Sequence, residues 1–281
     1  MDKKSILITG CSSGIGLCVA EGLQKRGYRV FATARKTADV EMLAERGLES
    51  LQLDVADPAS IRCAVDEVLR RTGGTLYALF NNAGYGQPGA VEDLRREVLR
   101  EQFETNVFGT VDLTNRLIPV MRAQGGGRII INSSLLGYVS LPFRGAYNAT
   151  KYALEGIADT LRLELRGSGI HVSLVEPGPI ASRFRANAHE MFRRHVEAES
   201  SFFRNTYRAM ESRLAKPGPV APFTLPPEAV LEKVIHILES SRPRIRYPVT
   251  FPAYLFAMLK RLLPGSALDR VLGRVGEVEN K

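Results

Sequence analysis

The 281-residue chain has 44% apolar and 24% charged residues, an ordinary balance for one large α/β domain with its own core and too little chain for a second. Its formal charge of +8 gathers late, +1 over residues 1–182, +4 over 183–216, −2 over 217–241 and +5 over 242–281, without the dense basic patch and interleaved aromatics of a general nucleic-acid binder. The opening apolar run Ile6–Ile8 is too short for a signal peptide or membrane span, which predicts a cytoplasmic protein, and Cys11, Cys18 and Cys63 lack metal-ligand spacing, which predicts reduced thiols packed as small apolar groups and no bound metal.

In chain order, Ser5 to Thr9 reads as a short buried strand. The turn Gly10-Cys11-Ser12-Ser13-Gly14-Ile15-Gly16 leads into a helix striped by Ile15, Val19 and Leu23. Glycines let a backbone approach a phosphate closely, and the free N–H groups that open a helix suit an anion. The spacing G-x-x-x-G-x-G departs from the G-x-G-x-x-G dinucleotide fingerprint, and a purely structural turn is the competing reading. Arg29 to Ala34 is the next strand. Its end decides the cofactor: a carboxylate there holds a ribose 2′-hydroxyl, whereas arginine holds a 2′-phosphate. The chain offers Ala34, Arg35 and Lys36, so NADP(H) is the expected cofactor, with Arg35 and Ser13 on its phosphate.

Leu48 to Leu53 forms a third strand ending at Asp54 and Val55, where Asp54 can accept from an adenine amino group. Asp57-Pro58 reads as an N-cap and first helical residue, and Ile61, Val65, Val68 and Leu69 as that helix's inner face. Leu76 to Phe80 is a fourth strand, running into Asn81-Asn82-Ala83-Gly84, small residues that let a cofactor cross the strand end. Residues 92–122 read as helical, with Leu99, Phe103, Val107, Val111, Leu113, Leu117 and Met121 inward and the polar Asn106 among them. That Asn either satisfies a local carbonyl or holds a water that relays protons.

Gly126 to Ser133 looks like a buried strand, and Ala146 to Leu165 has helical periodicity. Ser134 is therefore placed near a strand's carboxyl end, with Tyr147 and Lys151, four apart, on one face of the next helix. Open α/β sheets bind ligands at that edge. A cation about 4 Å from the phenol, at an effective dielectric of about 20, favours the phenolate by about 4 kcal/mol, or roughly three pK units. Such a tyrosine would titrate near neutrality and exchange protons as a general acid/base. Y-x-x-x-K alone is a weak motif, and an amphipathic helix can carry the pair by chance. His171 to Glu176 is the sixth strand, closed by Pro177-Gly178-Pro179. Strands alternating with helices predict a Rossmann-type, doubly wound parallel sheet: an α/β catalytic domain over residues 1–241 with a helical lid at 183–216, then an extension over 242–281.

With Thr9 to Gly16, Asp54, Asn81 to Gly84, Asn106, Ser134, Tyr147, Lys151 and Pro177-Gly178 in order, the chain resembles the short-chain dehydrogenase/reductase family across about residues 5–241. The resemblance implies that Tyr147 is the acid/base and Ser134 orients the substrate carbonyl. It also implies that Lys151 binds the nicotinamide ribose and lowers the Tyr147 pKa, while Asn106 completes a proton relay. Val30 to Arg35, Leu141 to Tyr147 and Arg246 to Thr250 look most like the hydroxysteroid and retinol dehydrogenase branch. In the loop P-G-P-I-A-S the family often ends in threonine. Here Ser182, with Ile180 before it, is expected to donate to the carboxamide.

Residues 183–216 carry Phe184, Met191, Phe192, Phe202, Phe203, Tyr207 and Met210, expected as a lid over the carbonyl, with Leu136, Leu141, Pro142 and Phe143 on the opposite wall. The competing reading is that these aromatics only pack the lid to the body. An apolar pocket favours a hydrophobic aldehyde or ketone, of long-chain, retinoid or steroid type, over a phosphorylated sugar. The run Pro248 to Leu272 is interrupted by basic residues and prolines and does not span a bilayer. A packed extension or homo-oligomer contact is favoured over a peripheral membrane contact. The expectation is thus an NADP(H)-dependent oxidoreductase of hydrophobic carbonyls and alcohols, the competing class being a non-catalytic NADP-binding sensor.

Overall fold

Seven strands form one sheet: β1 Ser5–Ile8, β2 Arg29–Ala34, β3 Glu49–Gln52, β4 Ala78–Asn81, β5 Gly127–Asn132, β6 Ile170–Glu176 and β7 Arg246–Pro248. The computed structural model describes residues 3–218 and 220–279. Every pairing is parallel and the order is β3-β2-β1-β4-β5-β6-β7. The chain therefore winds outward from β1 in one direction and from β4 in the other. The reversal opens a crevice at the carboxyl ends of β1 and β4, where such sheets bind ligands. The Rossmann-type doubly wound expectation holds. The edge strand β7 comes from the stretch expected to form the extension.

The strands alternate their side chains between two cores, as a period of two requires. Ile6 and Ile8 of β1, with Val30, Phe80, Ile130 and Val175, face helices α1 (Gly14–Lys25) and α9 (Glu228–Glu239), meeting Val19, Leu23, Val234 and Ile237. Leu7, with Phe31, Leu79, Ile129 and Leu174, faces the other way. It meets Val65 and Val68 of α3 (Pro58–Thr72), Leu113 and Leu117 of α5 (Gly109–Ala123) and Leu154 of α6 (Gly145–Glu164). The short helix α2 (Thr37–Glu45) joins β2 to β3. Asp57 caps α3 as expected, its carboxylate accepting from the Ala59 N–H at 2.9 Å.

Two expectations need correction. The stretch 92–122 is not one helix: α4 (Arg96–Phe103) passes through a π-helical turn, Glu104–Phe108, before α5 begins. The wider turn shifts the helical phase: Val98 and Gln102 are the fully buried residues of α4, Leu99 packs half-buried against the lid cluster and Phe103 is half-buried, while Val107, Leu113, Leu117 and Met121 point inward as foreseen. Nor are the three thiols alike. Cys11 is buried, Cys18 half-buried and Cys63 exposed, because Cys63 falls on the opposite side of α3 from Ile61, Ala64, Val65 and Val68.

Beyond the sheet, α7 (Phe184–His195), a 3₁₀ turn at Ala198–Ser200 and α8 (Arg204–Ala215) build the 183–216 region. The tail folds into α10 (Phe251–Leu262) and α11 (Gly265–Glu279). Among the described residues no helix is long and apolar enough to cross a membrane.

Candidate active site

The loop after β1 is drawn tight against the loop after β4. The buried Thr9 hydroxyl accepts from the Asn82 and Ala83 N–H groups at 3.0 and 2.9 Å, and the Asn82 amide donates to the Thr9 and Gly10 carbonyls at 2.9 and 3.1 Å. Gly10 has φ +72, and a Cβ there would lie 2.9 Å from Ala83 Cα; on Gly16 it would lie 2.2 Å from the Gly10 carbonyl oxygen. A side chain at either position would push the two loops apart. Ser12 and Ser13 are half-buried in the turn, and Ser13 takes the N-cap position of α1 with no side-chain cap bond. Ile15 packs into the core beneath.

Around this turn stand the other expected cofactor residues. Arg35 leaves the end of β2 exposed, its carbonyl fixed by the Gln52 amide at 3.0 Å. Asp54 Oδ1 accepts from the Ala56 N–H at 3.0 Å, closing its own turn, and Val55 is a core residue. Asn106 Oδ1 lies 3.1 Å from where a Gly84 Cβ would be. From the far side, Pro177 and Gly178 follow β6, and Ser182 sits 2.9 Å from the position of a Gly14 Cβ, so residues far apart in sequence close one crevice. Ile180 pairs with Leu225, and Ser182 Oγ donates to its carbonyl at 3.4 Å. Asn132 Oδ1, at the end of β5, is buried without a hydrogen-bond partner. A turn kept close by Gly10 and Gly16 at the start of α1 and an unmet acceptor at the end of β5 suit a dinucleotide.

Ser134, Tyr147 and Lys151 converge as the spacing requires. Ser134 follows β5 and caps a 3₁₀ turn, Leu135–Gly137, accepting from the Leu136 N–H at 3.1 Å. Its hydroxyl is also hydrogen-bonded to Tyr147. Lys151 lies with its Nζ 5.4 Å from the Tyr147 ring centre and donates to the Asn132 carbonyl at 2.7 Å. The expected acidic phenol is not found. Tyr147 as a whole is half-buried, but protein atoms crowd its phenol and push it up to about 12, against the downward pull of Ser134 and then Arg144. Burial also lowers Lys151 to about 8, partly opposed by Glu155. The ammonium is thus spent on a backbone carbonyl, and desolvation outweighs its field at the ring.

Asn106, set in the π turn, donates to the Tyr85 carbonyl at 3.0 Å and Thr150 Oγ1 at 3.1 Å, and accepts from the Tyr85 N–H at 3.1 Å. It ties the loop after β4 to the residue beside Lys151. Beneath Lys151 lies a network that the sequence reading did not foresee. Glu155, one turn further along α6, accepts from Ser133 Oγ at 2.5 Å and from Arg246 Nε at 3.1 Å. Arg246 also holds Asp159 at 2.8 Å, and its Nε is 3.2 Å from Glu176. Burial pushes both glutamates up, Glu176 to about 8. Its signal was faint: acids four apart on α6 and an arginine 91 residues after the first.

The lid aromatics divide. Phe192, Tyr207 and Met210 are buried with Ala90, Leu94, Val98 and Ala146, packing the lid to the body. Tyr207 donates to Asp93 and accepts from the Ala90 N–H at 2.8 Å. Phe143, expected on the opposite wall, joins this cluster, its ring 5.2 Å from that of Phe203. Its positive φ of 60 turns it toward the lid. Phe202 is exposed. Phe184 reaches Tyr147, the two ring centres lying 5.3 Å apart. The other wall is the tail: Leu135, Leu136, Tyr138, Leu141 and Tyr147 pack with Ala253, Phe256 and Leu259 of α10 and with Leu268, Val271, Leu272 and Val275 of α11. Pro142 lies 2.7 Å from where a Gly276 Cβ would be.

Residues 4–192 match the family model described as short chain dehydrogenase. The chain is similar to the uncharacterized oxidoreductase YbbO of Escherichia coli (strain K12), 45% identical over 96% of this chain and 94% of that one. Human 17-beta-hydroxysteroid dehydrogenase type 1 is 32% identical over 89% of this chain and 78% of that protein, which accords with the branch of the resemblance. Among solved structures, a short chain dehydrogenase/reductase from Burkholderia phymatum in complex with NAD superposes with a TM-score of 0.77 at 25% identity, over 93% of this chain and 92% of that one.

Proposed function

This chain belongs to the short-chain dehydrogenase family of oxidoreductases acting on CH–OH groups with a nicotinamide cofactor, and on that premise we propose that it is an NADP(H)-dependent reductase of hydrophobic aldehydes and ketones. The reading rests on one observation above others: the Tyr147 phenol, hydrogen-bonded to Ser134 and enclosed by apolar side chains of the tail, faces Phe184 at the cofactor crevice.

Bound NADPH supplies the hydride. The protein's part is to hold and protonate the carbonyl. With its phenol pushed up to about 12, Tyr147 keeps its proton at neutral pH, so it is poised to donate to a carbonyl oxygen as negative charge develops there. Ser134 stands beside it to hold the same oxygen. Lys151 carries most of its positive charge at neutral pH, since burial brings it only to about 8, and it holds that charge 5.4 Å from the Tyr147 ring centre. Asn106 keeps the Tyr85 loop against α6. Arg35 is the group for the 2′-phosphate, because a fork of guanidinium donors matches phosphate geometry. The walls made by Phe184, Leu136, Leu141 and the tail exclude water and suit an apolar substrate.

Following NADPH absorbance with long-chain aldehydes, retinal, steroid ketones and a phosphorylated sugar tests the reading. Turnover is expected with the apolar carbonyls and not with the sugar. NADPH binding without turnover on any of them would favour the non-catalytic sensor.

A further inference from the structure

Helix α10 has a second apolar face. Ala253, Phe256 and Leu259 point into the body, yet Phe251, Tyr254, Met258 and Leu262 are each more than half exposed. At 100° per residue, Phe251, Met258 and Leu262 fall within about 40° of one another, a stripe along the helix. Phe223, also more than half exposed, extends it: its ring centre is 5.0 Å from that of Phe251. Phe223 has a φ of 60, a conformation that a bulky side chain rarely adopts. The segment holding it is pinned to the catalytic crevice, Leu225 N–H donating to the Pro179 carbonyl at 3.1 Å and Ala181 N–H to the Leu225 carbonyl at 2.9 Å. The patch thus borders the Pro179–Ser182 loop that carries expected cofactor residues.

Contiguous exposed apolar side chains of this kind mark an interaction surface. The charge around them decides its partner. Residues 240–268 carry no acid, and apart from Arg246, which is held by Glu155, Asp159 and Glu176, they carry the basic residues Arg242, Arg244, Lys260 and Arg261. Lys260 and Arg261 are exposed at the end of the stripe. Two copies meeting through this face would bring the same basic segment against itself. A bilayer with anionic headgroups offers hydrocarbon to the stripe and negative charge to its rim. A 12-residue helix is too short to cross and lies in the interface plane. We propose that the stripe of α10, with Phe223, docks the protein on an anionic membrane surface with its catalytic crevice beside the lipid.

The test is co-sedimentation of the full chain with phosphatidylcholine vesicles, with and without an equal share of phosphatidylglycerol. Binding is read apart from activity, so it does not depend on the catalytic reading. The native chain is expected to sediment with anionic vesicles and to be released by salt. Met258→Glu with Leu262→Glu, both exposed, is expected to keep the melting temperature and lower the partition at least about tenfold. Lys260→Gln with Arg261→Gln is expected to weaken anionic binding about fivefold per charge, and neutral binding hardly at all. Equal sedimentation of native and Glu-substituted chains would overturn the proposal. So would a dimer in analytical ultracentrifugation that the same substitutions dissociate without any vesicle binding, because the face would then be a contact between copies.

Discussion

Glu176→Gln gives the sharpest stability prediction. Glu176 is buried at the end of β6, and desolvation first, then the neighbouring Glu155, push its carboxyl from the ordinary 4.5 to about 8, while Arg246 at 3.2 Å and the more distant Arg261 pull it down. The folded protein therefore holds a proton that the unfolded chain releases between those values, so stability falls as pH rises through the window. Integrated from pH 5 to 8, this single group removes about 3–4 kcal/mol. Glutamine keeps the shape and stays neutral, so the variant lacks that contribution. The half-buried His171 and His195 are shifted down and act in the opposite sense below 6.5, but both proteins carry them and the difference cancels. The chain has no tryptophan and 9 tyrosines, so urea unfolding followed by tyrosine fluorescence at several pH values is the assay. The native protein should lose about 3–4 kcal/mol relative to Glu176→Gln between pH 5 and 8. A constant difference across that range would mean that Glu176 is ionised in the fold.

Arg35→Ala should weaken NADPH binding by about tenfold or more while leaving NADH nearly unchanged, as measured by cofactor titration; equal losses would remove the phosphate role. Gly16→Ala puts a Cβ 2.2 Å from the Gly10 carbonyl oxygen and 2.6 Å from Asn82 Nδ2. Both neighbours are held in the tied loops, so calorimetry should find nucleotide affinity lost and a melting point lowered by several degrees, and native affinity would show that the turn has room to spare.

How much of this could be read beforehand varied with the length scale of the interaction. The parallel sheet, α6 and the shared face of Tyr147 and Lys151 follow from local periodicity and a four-residue spacing, which a helix converts directly into proximity; Ser134 meets Tyr147 only because β5 ends beside α6. Gly14 against Ser182 required the crossover topology as well. The π turn escaped because an inserted residue leaves the apolar pattern on each side intact and changes only the phase between them. The Tyr147 pKa was misjudged for a different reason: sequence shows that a lysine is near, but not that its ammonium is taken by the Asn132 carbonyl or that desolvation prevails. The Ser133–Glu155–Arg246–Glu176 network joins β5, α6, β7 and β6, and no short motif records such a meeting. The tail's role as a wall over Tyr147 was equally hidden, since its apolar residues face both the body and the outside.

The decisive measurement for the proposed chemistry is single-turnover reduction of an apolar carbonyl by native protein and by Tyr147→Phe, with NADPH affinity determined alongside. Phenylalanine preserves the ring beside Phe184 and removes only the proton donor. The rate should fall by a factor of about 10²–10⁴ with cofactor affinity nearly unchanged. A variant that reduces its substrate at the native rate would contradict the account.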